Sequence, residues 1–296
     1  MSINENIING LSVDVEDYFH VSNFAGQISY DEWDSFELRV EQNTQRLLDL
    51  FGRYSVRATF FILGWVAKRC PNLVRRIAQC GHEIACHSDK HRLVYDLTDD
   101  EFRNDLLESK QVLEKLSGQK IVGFRAPSYS ITRKNIHALD ILHECGFTYD
   151  SSIFPIHHHR YGIPDFNRFP TGIKLQNGNV INEYPISTIR MGAKNFPIGG
   201  GAYARILPAW LLIKWLRKIN RQERKPFVFY LHPWEIDPAQ PRLPCSRFTR
   251  FRHYVNLDKM EKKLEKILKR FSFAPLKEIE IAETTLDIKN LGRENS

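Results

Sequence analysis

A short β-strand and a pair of histidines lie together in the stretch His82-Glu83-Ile84-Ala85-Cys86-His87-Ser88-Asp89-Lys90-His91. The apolar residues after the glutamate predict a buried strand that delivers His87 at its carboxyl end. His91 follows four residues later, so both imidazoles can face one cation from a tight turn. We interpret the two histidines as ligands of a divalent metal ion; the alternative is a pair of polar surface residues.

A strand followed by a helix recurs along the chain. The pattern predicts strands at residues 7–15, 57–63, 82–86, 121–124, 147–149 and 227–231, and helices at residues 36–51, 71–80, 98–116, 132–145, 208–219 and 256–271. Repeated β–α units predict parallel strands covered by outer helices. In a (β/α) barrel the carboxyl ends of the strands form one face, and that face holds the active site. We therefore predict an α/β fold of this barrel type.

Three carboxylates follow the first predicted strand, in Asp14-Val15-Glu16-Asp17. Carboxylates this close repel one another unless a nearby cation offsets their charge. This favours a metal ion or an arginine close by; the alternative is a solvated strand end. Strand alternation places Asp14 and Glu16 on one face and Asp17 on the other, unless the chain turns there. Spacing alone leaves open which of Glu16 and Asp17 contacts the metal.

The strand at residues 121–124 is followed by Arg125, then Pro127. Beside Asp14, this arginine would keep a catalytic base ionised and oriented; a surface arginine is the alternative. The backbone N–H groups after the proline, at Ser128 or Tyr129, are candidates to face an oxyanion.

His232 directly follows the strongly apolar strand at residues 227–231. A histidine at such a strand end suits general acid catalysis, because its pKa lies near neutrality. A hydrogen-bonded core histidine is the alternative. Trp234, two residues later, either stacks on a sugar ring or fills the core. Two imidazoles, carboxylates, an arginine and a distant histidine together favour metal-assisted hydrolysis of an amide or ester.

The bulk properties describe a folded chain of 296 residues, with 42% hydrophobic residues and a net charge of +7. The charge favours an anionic neighbour such as an acidic glycan, a lipid-linked phosphate sugar or a membrane surface. No motif of a nucleic-acid-binding protein occurs, so we do not expect nucleic acid as a partner. The oligomeric state is not predicted.

The cellular location is predicted to be cytoplasmic, either free or at the inner face of the membrane. Five cysteines without a short-spaced framework favour reduced thiols, and residues 1–6 do not resemble a secretory signal. No apolar run approaches the length of a membrane span. Residues 205–225 combine an apolar stripe with basic residues, which suits either an anionic membrane surface or an outer barrel helix.

We predict one domain over residues 1–296, because no linker or repeat divides the chain. Residues 151–204 interrupt the β–α rhythm and are rich in Pro, Gly, His and Asn. We predict that they form an irregular substrate-loop insertion.

The motifs together resemble the polysaccharide deacetylases, the carbohydrate esterase family 4 with the NodB-homology domain. The acidic cluster at residues 14–17 resembles the first motif, the histidine pair matches His-Ser/Thr-x-x-His, Arg125 to Tyr129 matches the third, and Leu231-His232 matches the last. Residues 13–19, 150–155 and 232–235 are similar to the subgroup of exosortase-associated exopolysaccharide loci, within the peptidoglycan-deacetylase and allantoinase-like branch.

The resemblance implies a deformed barrel of about seven strands, with a C-terminal family extension from about residue 236. It also implies Zn²⁺, or another divalent transition metal, held by an acidic residue with His87 and His91. Asp14 or Glu16 is then the base, Asp17 or Glu16 the metal ligand, and His232 the acid. Arg125 orients the base.

The activity implied is N-deacetylation of an N-acetylated bacterial polysaccharide or its precursor. One alternative is allantoinase-like hydrolysis of a small cyclic amide. Another is a catalytically silent glycan-binding protein.

Overall fold

A computed structural model describes residues 7–22 and 24–292. The residues on which the prediction about a secretory signal depends, 1–6, lie outside this part of the chain. The described strands are β1 (Ile8–Val15), β2 (Thr59–Ile62), β3 (Glu83–Cys86), β4 (Gly123–Phe124), β5 (Tyr149–Asp150), β6 (Thr171–Lys174), β7 (Val180–Glu183), β8 (Thr188–Met191), β9 (Lys194–Pro197), β10 (Val228–Leu231), β11 (Ser272–Ala274) and β12 (Ala282–Asp287).

Ten of these strands form one sheet, in the order β10-β1-β2-β3-β4-β5-β7-β6-β12, with β11 paired to β1. The seven strands from β10 to β7 are parallel to their neighbours throughout. Strands β2, β3 and β10 are buried along their whole length, as expected where helices cover a parallel sheet. The sheet curls strongly into a half-barrel, so the predicted fold class is confirmed.

The helices occupy the intervals between strands, as the β–α pattern predicts. Helices α3 and α4 pack against β3, and a capping box between Thr98 and Glu101 starts α4. The described helices are α1 (Val40–Arg53), α2 (Gly64–Arg69), α3 (Pro71–Gln79), α4 (Asp99–Ser117), α5 (Ala138–Glu144), α6 (Gly201–Ile206), α7 (Ala209–Lys218), α8 (Arg247–Tyr254), α9 (Leu257–Leu268) and α10 (Ile288–Leu291).

Residues 151–204 are more regular than predicted. They contain the antiparallel hairpins β6–β7 and β8–β9, and β7 joins the main sheet beside β5. A turn signal marks the first hairpin: Asn177-Gly178 lies between the two strands, and Gly178 has φ +86°. Residues 151–170 contain no helix or strand, as predicted for an irregular insertion, whereas residues 171–197 form the two hairpins. The role of residues 151–204 as a substrate loop stays a prediction. The division of the whole chain into domains stays a prediction.

The described helices include none that is both long enough and apolar enough to cross a membrane.

Gly200 lies where the segment after β9 contacts strand β10, next to the predicted acid. The N–H of Tyr230 donates to the carbonyl of Gly199 at 2.7 Å. Gly200 has φ +143°, and a Cβ added there would lie 2.0 Å from the carbonyl oxygen of Tyr230. Only glycine fits this position without displacing β10.

Replacing Gly200 with alanine is expected to destabilise the protein by roughly 3 kcal/mol or more, because strain and a backbone clash add. The matched control is Gly178→Ala, which has φ +86° but no atom within 4 Å of the new Cβ. It should cost only about 1–2 kcal/mol, from backbone strain. Urea unfolding measures both variants, and equal losses would contradict the assigned clash.

Candidate active site

Three buried side chains converge at the carboxyl ends of β1 and β3. The ligand atoms of Glu16, His87 and His91 all lie within 4.8 Å of one another. β1 ends at Val15 and β3 at Cys86, so each strand presents its polar residues at the same edge of the sheet. The two predicted histidines are therefore brought together with a carboxylate.

The histidine loop is held by its neighbours. The Nδ1 of His87 lies 2.7 Å from the carbonyl oxygen of Arg125, which leaves Nε2 as the ligand atom. Asp105 on α4 accepts hydrogen bonds from the Ser88 hydroxyl at 3.2 Å and from the backbone N–H of Asp89 at 3.0 Å. Ser88 and His91 both have positive φ, so these contacts fix a turn that the backbone disfavours.

The donor set fits a divalent cation. Oε2 of Glu16 is buried without a hydrogen-bond donor among the described residues, although it lies 2.9 Å from Nε2 of His91. A carboxylate oxygen and an imidazole nitrogen at this distance can share one ion. Burial lowers the pKa of His87 to about 4, which keeps the imidazole neutral as a ligand. Burial would raise the pKa of Glu16, but His91 and His232 hold it well below its ordinary value.

Asp17, which the sequence leaves open alongside Glu16 as the acidic metal ligand, holds backbone N–H groups. Its carboxylate accepts backbone N–H groups from Tyr18 at 3.0 Å, Arg39 at 2.7 Å and Val40 at 2.9 Å. Burial raises the pKa of Asp17 to about 6, and these N–H groups oppose the rise. Asp17 thus anchors the start of α1. Of the two candidates, Glu16 is the one whose carboxylate lies with the imidazoles of His87 and His91.

Asp14 and Arg125 form a buried ion pair beside the metal group. Oδ1 of Asp14 lies 2.6 Å from Nη1 of Arg125. The guanidinium also donates to the Ser12 hydroxyl at 2.9 Å and to the hydroxyl and carbonyl of Ser151 at 2.7 and 3.1 Å, and it lies over the ring of Phe61 at 4.2 Å. Five fixed contacts orient the arginine, and the arginine orients the carboxylate.

His232 is oriented by a carboxylate three residues later. Its Nδ1 lies 2.7 Å from Oε1 of Glu235, while Nε2 lies 3.1 Å from Oε1 of Glu16. Oε2 of Glu235 accepts from Nε of Arg205 at 2.7 Å, and Arg205 also donates to the carbonyls of Arg252 and His253. Burial lowers the pKa of His232, but Glu16 and Glu235 outweigh it and raise the pKa to about 10.

The turn after Pro127 is strained. Ser128 and Tyr129 have φ of +51° and +58°. The N–H of Tyr129 donates to the carbonyl of Ala126 at 3.0 Å, so it closes the turn and is engaged there. The N–H of Ser128 is therefore the remaining candidate of the two predicted oxyanion donors. Both residues line the pocket.

Trp234 forms a wall of the pocket rather than an open platform. The rings of His232 and His253 stack on it at 5.0 and 4.3 Å, and the guanidinium of Arg205 lies over it at 5.2 Å. The side chain is 5% exposed. Of the two predicted roles, packing is the better supported, and the packing steadies His232.

The pocket brings the predicted residues together, but sequence reasoning missed several that hold them. These are Asp105, Glu235 and Arg205, although Glu235 lies within residues 232–235, which carry part of the family resemblance. A carboxylate three residues after a catalytic histidine is a signal that the sequence does contain. The contacts of Arg205 carry no such signal, because its partners come from distant segments.

Two family models match the chain. Residues 28–149 match the polysaccharide deacetylase family, and residues 151–280 match a domain of unknown function, DUF3473. The first match includes both metal-binding histidines and Arg125. The second includes His232 and Glu235, so the candidate site draws on both regions.

Curated relatives match parts of the chain. A peptidoglycan-N-acetylglucosamine deacetylase of Bacillus cereus is 37% identical over 84 residues, which are 28% of this chain and 30% of that protein. A peptidoglycan deacetylase of Helicobacter pylori is 28% identical over 133 residues, 45% of this chain and 44% of that protein. The matches thus cover less than half of these relatives' length.

Solved structures share the fold. A Mycobacterium smegmatis protein assigned to the polysaccharide deacetylases superposes with a TM-score of 0.60, at 20% identity, over 94% of this chain and 91% of that one. Puue allantoinase superposes with a TM-score of 0.56, at 13% identity, over 97% and 89%.

The buried Glu16–His87–His91 group, at the carboxyl ends of strands in a half-barrel, can hold a divalent metal ion. The chain carries a polysaccharide deacetylase domain followed by a DUF3473 region.

Proposed function

We propose that this protein is a metal-dependent N-deacetylase of an N-acetylated bacterial polysaccharide or of its precursor. The observation that carries the proposal is one pocket lined by the metal group Glu16, His87 and His91, together with Asp14 and His232. Hydrolysis of an amide needs an activated water, a base and an acid, and this pocket contains residues for each role.

Glu16, His87 and His91 would hold the ion, and we propose Zn²⁺ because two imidazoles and a carboxylate with an open position are typical of catalytic zinc. A bound divalent ion supplies Lewis-acid polarisation and makes water more acidic.

Asp14 is the proposed base. The buried guanidinium of Arg125 keeps its carboxylate oriented at 2.6 Å. Asp14 accepts a proton from the water that adds to the acetamide carbonyl carbon. The backbone N–H of Ser128 is the proposed donor to the resulting oxyanion.

His232 is the proposed acid. Glu235 binds Nδ1, so Nε2 is the atom that faces the pocket. When the C–N bond breaks, His232 donates its proton to the departing amine, and the products are acetate and an amino sugar. Glu235 and Arg205 act by positioning this histidine.

We further propose a role in exopolysaccharide biosynthesis in the cytoplasm. The resemblance of residues 13–19, 150–155 and 232–235 to the exosortase-associated subgroup supports this role.

Aromatic rings of Tyr161 and Tyr230 along the pocket favour a glycan over a small cyclic amide.

The test is acetate release by Zn²⁺-loaded protein from an oligomer of N-acetylglucosamine, with the free amine measured in parallel. We expect equal amounts of acetate and amine, and no opening of allantoin under the same conditions. Chelation should stop the release and added Zn²⁺ should restore it. Zinc-loaded protein that opens allantoin but leaves every N-acetylated glycan intact would overturn the proposal.

A further inference from the structure

Two arginines from the second half of the chain line the same pocket as the proposed catalytic groups. They are Arg160, after β5, and Arg252 on α8, and we call them the arginine wall. Both side chains are partly exposed, whereas the acidic residues that line the pocket, Asp14 and Glu16, are buried. The described lining thus holds two carboxylates in its buried part, beside the buried Arg205, and two further arginines where it is partly exposed.

The position of Arg252 is fixed relative to the proposed acid. Its carbonyl oxygen accepts a hydrogen bond from Nη2 of Arg205 at 2.9 Å. Arg205 binds Glu235 at 2.7 Å, and Glu235 binds His232 at 2.7 Å. This series of contacts anchors the backbone of α8 at Arg252 to the catalytic histidine, and the Arg252 side chain lines the same pocket.

Arg160 is held next to a stack of rings. Its backbone N–H donates to Nδ1 of His158 at 3.3 Å, and the His158 ring stacks on Tyr161 at 3.8 Å. Burial lowers the pKa of His158 to about 4, and His159, Arg252 and Arg160 lower it further. Arg160 and Arg252 therefore both act on His158, and the imidazole of His158 stays neutral.

We infer that the arginine wall binds a negatively charged group, a carboxylate or a phosphate, on the sugar that is deacetylated or on its neighbour. A guanidinium matches the paired oxygens of either group and remains charged at all relevant pH values. The net charge of +7 raises the local concentration of such substrates. This inference rests on the proposed function and narrows its substrate to an anionic glycan.

The experiment compares three substrates with Zn²⁺-loaded protein. They are a neutral N-acetylglucosamine oligomer, a hyaluronan oligomer of equal length, which carries carboxylates, and N-acetylglucosamine 1-phosphate, which carries a phosphate. We expect kcat/KM to be about 10- to 100-fold higher for at least one charged substrate than for the neutral one, the range of one or two charge-assisted hydrogen bonds. Whichever of the two charged substrates has the higher kcat/KM shows whether the arginine wall prefers a carboxylate or a phosphate.

Arg252→Gln and Arg160→Gln should lower the ratio of charged to neutral kcat/KM about tenfold each. The matched control is Arg250→Gln, an exposed arginine on the same helix that is not among the lining residues, and its ratio should equal that of wild type. Added salt should reduce the preference.

Affinity is measured in parallel by calorimetry with the same three ligands, so the inference has a readout that does not need turnover. Absence of acetate from all substrates would count against the proposed function alone. Equal affinity for charged and neutral ligands, or a ratio that Arg252→Gln and Arg160→Gln leave unchanged, would overturn the role of the arginine wall.

Discussion

Replacing Glu16 with glutamine is expected to remove the bound divalent ion and to lower kcat/KM for deacetylation by about 10³-fold or more. The reason is that Glu16 supplies the carboxylate of the metal group, within 4.8 Å of the ligand atoms of His87 and His91. A metal ion contributes several kcal/mol to transition-state stabilisation, which corresponds to at least this factor in rate. Elemental analysis after dialysis measures the metal, and acetate release measures the rate.

The matched control is Asp17→Asn, next in the chain and equally buried. Because Asp17 accepts three backbone N–H groups and lies outside the metal group, the variant should keep one metal per chain. It should instead lose about 1–3 kcal/mol of unfolding free energy, since an amide accepts fewer of these bonds. If Asp17→Asn lost the metal and Glu16→Gln kept it, the ligand assignment would be reversed.

The choice between Glu16 and Asp17 shows where sequence reasoning reaches its limit. Alternation along a strand placed Asp14 and Glu16 on the same face, and both do line the pocket. Alternation holds only while the chain stays extended, however. The N–H of Glu16 donates to the carbonyl of Asp14 at 3.0 Å, so the chain turns at the end of β1. Side-chain directions beyond Val15 then depend on tertiary contacts that spacing does not contain.

The fold was more predictable than the details of the site, for a physical reason. Buried strands such as β2 and β10 are continuous apolar runs bounded by turn residues, and that pattern is local. The predicted helix at residues 132–145 is instead a 3₁₀ turn followed by the shorter α5, a boundary that tertiary packing sets. Local patterns therefore give the elements, and packing adjusts their ends.

The support around the catalytic residues depends on long-range contacts. Arg205 and Glu235 are 30 residues apart, yet both are buried and bonded to each other. A buried arginine of this kind looks like any basic residue of an outer helix when only its neighbours in sequence are considered. The β6–β7 hairpin differs, because Asn177-Gly178 is a local sequence signal for its turn.

Replacing Asp14 with asparagine is expected to lower kcat by about 10²–10⁴-fold while the metal remains bound. An amide cannot accept the proton of the attacking water, and general base catalysis contributes a factor of this size. Asp14 is not one of the three ligands of the metal group, so metal content should stay at the wild-type level. The variant also leaves the buried guanidinium of Arg125 without its carboxylate, which should cost about 3 kcal/mol in unfolding free energy.

Ser12→Ala separates the two effects of that substitution. The Ser12 hydroxyl accepts a hydrogen bond from Nη1 of Arg125 at 2.9 Å, the same atom that binds Asp14. Its loss weakens the support of the arginine but leaves the base in place, so we expect a stability loss of about 1–3 kcal/mol with kcat within tenfold of wild type. Stability is measured by urea unfolding and kcat by acetate release from metal-loaded protein. A fall in kcat as large for Ser12→Ala as for Asp14→Asn would mean that Asp14 acts by positioning Arg125, and that the proton is taken by another group.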